Sequence, residues 1–567
     1  MTTLPIFSIA THENNLIHIN HLEETYNHSE DDLINNYNPF RITKLQNYNP
    51  IYHRFLSLSE NNFNNIQLNH KYHMVSTDTV KDINQNIIYN KPVFIKYSPL
   101  LDPIRYMIGK YKNDGDNIRR LPLYNRIGFS KLDDPNNSAY TDSFFYYLSS
   151  KTLHEYNFVH GIDFYGSFLG IQDKFKMDVV DDMEYLITSQ YFNDNIDKLF
   201  SICNHDHNSL YANGSRTNRA KLRISNTNNH NISAISITED LTTDDLTSQD
   251  TEIVYTNVTE PISNNSGNTS ETSSSDDNSE CNDSSDEDIS SQEDDGDWET
   301  ESNSSDETGS TISNDIDETQ YGYINNFPVQ LICLEKCTGT LDELFSKHQI
   351  NEDNAASALF QIIMVLISYQ KMFHFTHNDL HTNNIMYIPT EKAFLYYKFE
   401  NKTYKVPTYG KIFKLIDFGR SIYKYKGKIM CSDSFGPGGD AATQYNCEPY
   451  YDETKPVIEP NYSFDLCRLG CSVYDFIIPD DIDPSLYDDL QQTIVRWCSD
   501  DRGKNVLYKR NGDERYPNFK LYKMVARTVH NHTPQEQLNH SYFNQFLSNE
   551  EIQASDLTDI DCLPCCV

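Results

Sequence analysis

His377-Asn378-Asp379-Leu380-His381-Thr382-Asn383-Asn384-Ile385-Met386 is the stretch that decides how this chain folds. Thirty-eight residues after Asp379 comes Lys414-Leu415-Ile416-Asp417-Phe418-Gly419. An Asp followed five residues later by an Asn puts a carboxylate and an amide oxygen on one tight loop. An Asp at the end of an apolar run brings a second carboxylate. Such a set suits phosphoryl transfer, which asks little covalent chemistry of a protein. It needs one carboxylate to orient and accept from an attacking hydroxyl, and oxygen ligands for Mg²⁺ on the phosphates. In an Asn-rich chain the Asp–Asn spacing alone arises readily by chance, so its weight depends on what flanks it.

Upstream, residues 352–373 carry Leu359, Ile363, Leu366 and Ile367 at helical spacing, which predicts a long amphipathic helix leading into the loop. Before it, Pro328–Leu334 is a buried-strand run and Leu341–Phe345 a short helix. His73–Ser76, Ile87–Tyr89 and Pro92–Tyr97 read as short strands bounded by Asn and Pro. Residues 138–160 read as a helix through Phe144, Phe145, Leu148 and Leu153, and residues 161–179 as strand again. Between the two motifs, Phe394–Val406 reads as a hairpin turning at Glu400-Asn401-Lys402. Helices alternate with loops to about residue 550. Mostly strands first and helices later predicts an α+β fold. Residues 1–70, rich in Asn, His and Tyr and without Gly, give no clear element pattern.

The net charge is −37, from 46 Lys+Arg against 83 Asp+Glu. Residues 239–318 hold 26 of those acids and no base, so the other 487 residues carry 46 against 57, a net of −11. From about 204 to 320 the chain is Asn, Ser, Thr, Asp and Glu, with pieces such as Ser273–Asp277 and Ser284–Asp288. Too little apolar area is available there to offset ordering entropy, which predicts a disordered acidic insert. Its serines, followed by carboxylates, suit an acid-directed kinase as modifier, and suit a merely solvating loop equally. Arg216, Arg219, Lys221 and Arg223 read as a solvated linker. Nucleic acid, which needs a cationic surface, is not an expected partner.

Taken together, the two motifs resemble the catalytic loop H-R-D-x-x-x-x-N and the D-F-G of eukaryotic-type protein kinases. The chain is similar in particular to the serine/threonine-protein kinases of giant, mimivirus-type viruses of amoebae. Val93-Phe-Ile-Lys-Tyr-Ser-Pro-Leu100, Phe164-Tyr-Gly-Ser-Phe168, Ser463-Phe-Asp-Leu-Cys-Arg-Leu-Gly470 and Gly503-Lys-Asn-Val-Leu-Tyr-Lys509 carry that likeness. It covers most of 71–550 outside 204–320. It implies a bilobal protein-kinase-like fold with a small β-rich N-lobe and a mainly helical C-lobe. The parts are an N-terminal extension (1–70), the first part of the N-lobe (71–203), the insert (204–320), the last N-lobe strand (321–334), the hinge and C-lobe (335–550) and a tail (551–567).

The resemblance also implies roles. Asp379 would be the catalytic base, Asn384 and Asp417 the Mg²⁺ ligands, and Lys96 the residue on the ATP phosphates. Leu331–Cys337 would be the hinge, with Glu335 and Cys337 meeting adenine through their backbone. Asp465 would support the catalytic loop from below, together with His377, and Pro534–Phe543 would close the large lobe. The implied activity is transfer of the γ-phosphoryl group of ATP to Ser/Thr hydroxyls of protein substrates. The implied location is the cytoplasm, that of the host for a viral chain, with the virion as a second place.

The chain departs from that pattern in five ways. No Gly-rich loop precedes Lys96, since the first glycine is Gly109, so phosphate cover would come from backbone around Ser76–Asn84. The acid expected to pair with Lys96 is not a Glu; Asp142 is nearest the expected place, a methylene shorter, and Glu155 comes too late. Asn378 replaces the Arg that elsewhere holds a phosphorylated activation loop, so switching by phosphorylation is not expected. His381 stands where a Lys usually shields the transferring phosphate. The A-P-E landmark is absent, leaving Glu448, Glu453 and Glu459 as candidates. Two other readings stay open: a pseudokinase that binds partners without catalysis, and a small-molecule phosphotransferase, because H-x-D-L-H-x-x-N also resembles the aminoglycoside and choline kinases. Retention of Lys96, Asp379, Asn384 and Asp417 weighs against the first, and Asp417-Phe418-Gly419 with Asp465 against the second.

The longest apolar run, Phe360–Ser368, falls far short of the ~20 residues that span a bilayer, so no membrane span is expected. Met1–Ser8 lacks the charged start and apolar core of a signal peptide. Twelve scattered cysteines suit a reducing compartment. Cys467 and Cys471, one helical turn apart, read as core thiols. Cys562-Leu-Pro-Cys565-Cys566-Val567 is no prenylation box and reads as a frayed tail. Deleting residues 239–318 is expected to leave a folded, soluble, ATP-competent protein, as size-exclusion chromatography, a thermal melt and ATP binding would show.

Overall fold

Near-continuous burial along two long strands builds the first sheet. β1 (Ile42–Gln46) comes first, followed by three short strands, β2 (Tyr72–Met74), β3 (Thr79–Asp82) and β4 (Ile87–Asn90), and then β5 (Val93–Pro99). Helix α1 (Ser138–Tyr156) leads into the long β6 (Phe164–Asp178), β7 (Phe200–Ile202) and β8 (Tyr321–Glu335). These elements come from a computed structural model that describes residues 17–65, 68–180, 182–203, 320–479, 483–510, 512–517 and 519–567, all in one unit. The insert expected at 204–320 lies outside the described residues, apart from residue 320, and so does the patch Arg216–Arg223.

β1, β6, β8 and β5 lie side by side in that order, all antiparallel, and β7 pairs with β8. β8 is the common partner. Its register with β6 runs from Phe164↔Leu334 to Asp178↔Tyr321, with a bulge at Phe164/Gly166, and its register with β5 from Val93↔Glu335 to Pro99↔Val329. Residues 1–70 thus contribute an edge strand to this sheet. β1 approaches so closely that a Cβ on Gly170 would stand 2.3 Å from Ile42 Cγ2. β2, β3 and β4 form an antiparallel meander of their own. α1 lies against β6 and β8 and is capped by the Asn137 side chain at its start and by left-handed Asn157 (φ 53°) at its end.

The remaining chain mixes helices with small sheets. In order it forms β9 (Gly339–Thr340), α2 (Leu341–Ser346), α3 (Glu352–Phe373), β10 (Ile385–Pro389), β11 (Phe394–Phe399), β12 (Lys402–Pro407) and β13 (Lys411–Leu415). Then come β14 (Ile422–Tyr425), β15 (Lys428–Cys431), α4 (Phe464–Ile477), α5 (Lys520–Thr528), β16 (Leu547–Ser548) and β17 (Leu557–Asp559). The expected hairpin is present as β11–β12, and Glu400 and Asn401 both take left-handed φ (50° and 58°) at its turn. The segment 534–543 forms two short helices, Pro534–Gln537 and Ser541–Asn544, separated where His540 is extended (φ −81°, ψ 143°). The architecture is α+β, as expected.

α3 differs from a surface helix. Its apolar residues are buried, but so are Ser357, Gln361, Ser368 and Gln370. Gln361 is satisfied on both sides: its Nε2 donates to the Lys411 carbonyl (3.3 Å) and its Oε1 accepts from the Phe413 amide (3.1 Å). Asn354–Phe373 is long and apolar enough to cross a membrane by composition alone, yet 94% of its apolar window is buried inside the fold. Left-handed His374 (φ 47°) ends the helix. Cys467 and Cys471 are buried core thiols, as expected, beside Cys498.

The tail is not frayed. β17 pairs in parallel with β11, the Cys566 amide donates to the Met372 carbonyl (2.7 Å), and Lys371 Nζ donates to the Ile560 and Asp561 carbonyls (2.7 Å each). Ile560 and Leu563 are buried. The shortness of the segment hid this, because its order comes from partners rather than from its own pattern. Removing residues 557–567 is expected to destabilise the protein by roughly 3–6 kcal/mol, from two buried apolar side chains and several hydrogen bonds, as denaturant unfolding would show.

Candidate functional site

The site begins at a buried lysine. Lys96 lies mid-way along β5 with only 5% of its side chain exposed. Its Nζ donates to Asp142 Oδ2 on α1 (2.8 Å) and to Asp417 Oδ1 (2.8 Å). Asp142 therefore occupies the place of the acid expected opposite Lys96, and Glu155 pairs with Lys151 instead. Asp142 Oδ1 also accepts the Phe418 amide (2.7 Å), and the Asp417 amide donates to the Tyr146 hydroxyl (2.8 Å). Two carboxylates share one ammonium. Burial and the Asp417 charge outweigh Lys96 and hold Asp142 up at about 6. Burial works to lower Lys96, but the two acids hold it well above its ordinary value.

Phe418 points away into an aromatic cluster. Its ring lies 4.6 Å from Phe145 and 4.8 Å from Tyr146 on α1, and 5.7 Å from His377. Asp417 is left-handed (φ 61°), as is Asn378 (φ 65°). That conformation costs a non-Gly residue about 1–2 kcal/mol, so each loop needs fixed partners.

Asp465 on α4 supplies one set of partners. It is fully buried, and its two oxygens accept the His377 amide (2.8 Å) and the Asn378 amide (2.9 Å). His377 Nε2 meets the Ile416 carbonyl (2.9 Å), tying the loop to the strand before Asp417. The Tyr445 hydroxyl donates to Asn378 Oδ1 (2.7 Å). Thr382 is held by Asp342 of α2 and by Ser472 of α4.

Asp379 sits at the head of this loop. Burial would raise its carboxyl, but Arg420, His381, Arg468 and a hydrogen bond from Tyr522 bring it down to about 2. The Tyr522 hydroxyl donates to Oδ1 (2.8 Å), and Arg420 Nη1 lies 3.8 Å from Oδ2. Arg420 in turn pairs with Asp440 (2.6 Å). Asn384 Nδ2 donates to the Asp379 carbonyl (2.9 Å) and lies 3.1 Å from His381 Nε2.

Lys96, Asp142, Asp379, Asp417 and Arg420 line one cavity of about 460 Å³. Its far wall comes from the segment between β5 and α1, including Arg105 and Lys131, and from residues 433–440. Lys131 pairs with Asp433 (2.6 Å), which joins these two walls. Asn384, Glu335 and Cys337 do not line it, and neither does Ser76–Asn84. The turn of that last segment rests on the start of β5 instead, through the Val93 amide on the Thr77 carbonyl (2.7 Å). The Glu335 side chain is taken up by Lys414 and the Asp163 amide. The amides of Glu335, Lys336 and Thr338 donate to the carbonyls of Asp163, Pro92 and Tyr387, whereas the Cys337 amide has no partner among the described residues. Glu448, Glu453 and Glu459 make no ion pair among them.

Arg420, Asp440 and Tyr522 were not singled out from the sequence. Arg420 follows Gly419 directly and could have been. Tyr522 carries no signal, lying 143 residues beyond Asp379. No protein-family model matches the chain, and no curated protein matches it.

Acidification tests the shared ammonium. The folded protein takes up a proton at Asp142 near pH 6, whereas the unfolded chain does so only near its ordinary 3.8. Stability from this group is therefore fully present below 3.8 and lost as pH rises through about 6. Wild type is expected to gain on Asp142→Asn by up to about 1.4 kcal/mol per pH unit between those values. Denaturant unfolding across that range measures the gain, and parallel curves would contradict it.

Proposed function

We propose that the chain is an ATP- and Mg²⁺-dependent protein kinase of bilobal kinase-like fold that phosphorylates Ser/Thr hydroxyls of proteins. One observation carries the reading: a buried strand lysine bonded at once to a helix carboxylate, Asp142, and to Asp417 of Asp417-Phe418-Gly419, on a cavity that also exposes Asp379. Three motifs far apart in sequence meet there in the order phosphoryl transfer uses. The Cys337 amide, without a partner among the described residues though outside the cavity lining, suits the edge of an adenine, and Glu335, its side chain held by Lys414 and its amide by the Asp163 carbonyl, leaves only its own carbonyl for that purpose.

Of the two expected ligands only Asp417 lines the cavity; its carboxylate and Asn384 Oδ1 are the oxygen donors that a hard divalent cation would take. Mg²⁺, when bound with ATP, would neutralise charge on the phosphates. Lys96 holds the position of Asp417 and presents its ammonium to the same cavity. Asp379, with its carboxyl held near 2, is a weak base. Its part is to orient the acceptor hydroxyl by a hydrogen bond and to take the proton late, as the new bond to phosphorus forms. Asp465 keeps the loop in that geometry.

Labelled ATP incubated with the protein and a mixed lysate is expected to label proteins. Asp379→Asn and Asp417→Ala should each lower this by about a hundredfold or more. No transfer above the Asp379→Asn background would favour the pseudokinase reading, and label in metabolites alone the small-molecule one.

A further inference from the structure

We propose that Tyr522 is the positioning residue for Asp379, an assignment that rests on reading Asp379 as the base. Tyr522 lies on α5, is buried at 4% exposure, and donates its hydroxyl to Asp379 Oδ1 at 2.8 Å. Asp379 lines the cavity and Tyr522 does not, so the hydroxyl reaches the carboxylate from behind. Arg420, which does line the cavity, lies 3.8 Å from the other oxygen, Oδ2. The two oxygens are thereby divided: Oδ1 is held from within the fold and Oδ2 faces the side from which an acceptor comes.

This division matters because the terminal torsion of an Asp is a soft, two-fold rotor. Without a fixed partner the carboxylate can turn toward Arg420 and form a bidentate pair, which would take both oxygens from the acceptor. The tyrosine itself is fixed. Its ring stacks on Phe519 (5.3 Å, 17°), approaches Phe464 (6.2 Å), and lies under the Arg468 guanidinium (4.7 Å). Phe464 and Arg468 belong to α4, the helix that carries Asp465. One helix thus sets both the backbone of the loop and, through Tyr522, the rotation of its carboxylate. The Oδ1 bond, from a neutral donor, also leaves Asp379 in its ionised form.

Tyr522→Phe keeps the ring and its stacking and removes only the donor. In the full-length protein kcat is expected to fall roughly tenfold or more, the effect of losing a hydrogen bond to a charged group. KM for MgATP should stay at its wild-type value, and the thermal midpoint should fall by no more than the few degrees that one lost hydrogen bond costs. A parallel rise in KM, or a lowered midpoint that accounts for the loss, would make Tyr522 a packing residue and overturn the assignment. An active wild type matched in kcat by Tyr522→Phe would also overturn it while leaving the proposed function standing. A wild type that transfers to no acceptor would overturn the reading of Asp379 and this assignment with it.

Discussion

A single buried ammonium joins the parts of this protein that otherwise have no covalent reason to meet. Lys96 comes from a sheet, Asp142 from a helix and Asp417 from a loop more than three hundred residues downstream, and the three sit within one pair of 2.8 Å bonds. Burying three charges is expensive, and losing one partner of such a cluster costs about 3–5 kcal/mol. The arrangement holds because each acid has a further tie: the Asp142 carboxylate accepts the Phe418 amide, and the Asp417 backbone amide donates to the Tyr146 hydroxyl. The aromatic packing of Phe418 against α1 then follows from where the ion cluster places its neighbour.

The second support is a carboxylate that touches only backbone. Asp465 accepts two consecutive amides, and that pair sets left-handed Asn378 and everything after it in the loop. The front of the cavity is made differently. Lys131–Asp433 and Arg420–Asp440 tie the segment after Gly419 to its surroundings with permanent charges. That segment needs no Arg at position 378, where Asn378 instead satisfies Tyr445 and the Arg420 carbonyl.

The framework around these groups was legible where a local rule governs it. β5, α1, α3 and the β11–β12 hairpin follow from short-range periodicity and a Glu400-Asn401 turn, and Asp142 from the place that the kinase resemblance assigns to an acid opposite Lys96. What escaped had long-range causes. β1 shows no alternation, since Thr43 and Lys44 are both exposed and Lys44 is left-handed (φ 56°); it is a strand because Gly170 leaves room for it. α3 reads as amphipathic, with a polar face, while in the fold that face is buried too and Gln361 bonds the β13 backbone. The tail was too short to read, and Tyr522 reaches Asp379 only after α4 and α5 have packed.

The central position of β8 bears on how the chain is made. Its neighbours β5 and β6 precede it by a stretch that runs from Asp178 to Tyr321. At ~5–20 residues per second, a ribosome needs about 7–30 s to cover those roughly 140 residues. During that interval β5 and β6 have left the exit tunnel with the edges that β8 later covers still bare. Nascent chains in this state are natural clients for chaperones, and the acidic residues that emerge next repel one another and so disfavour pairing between neighbouring polysomal copies.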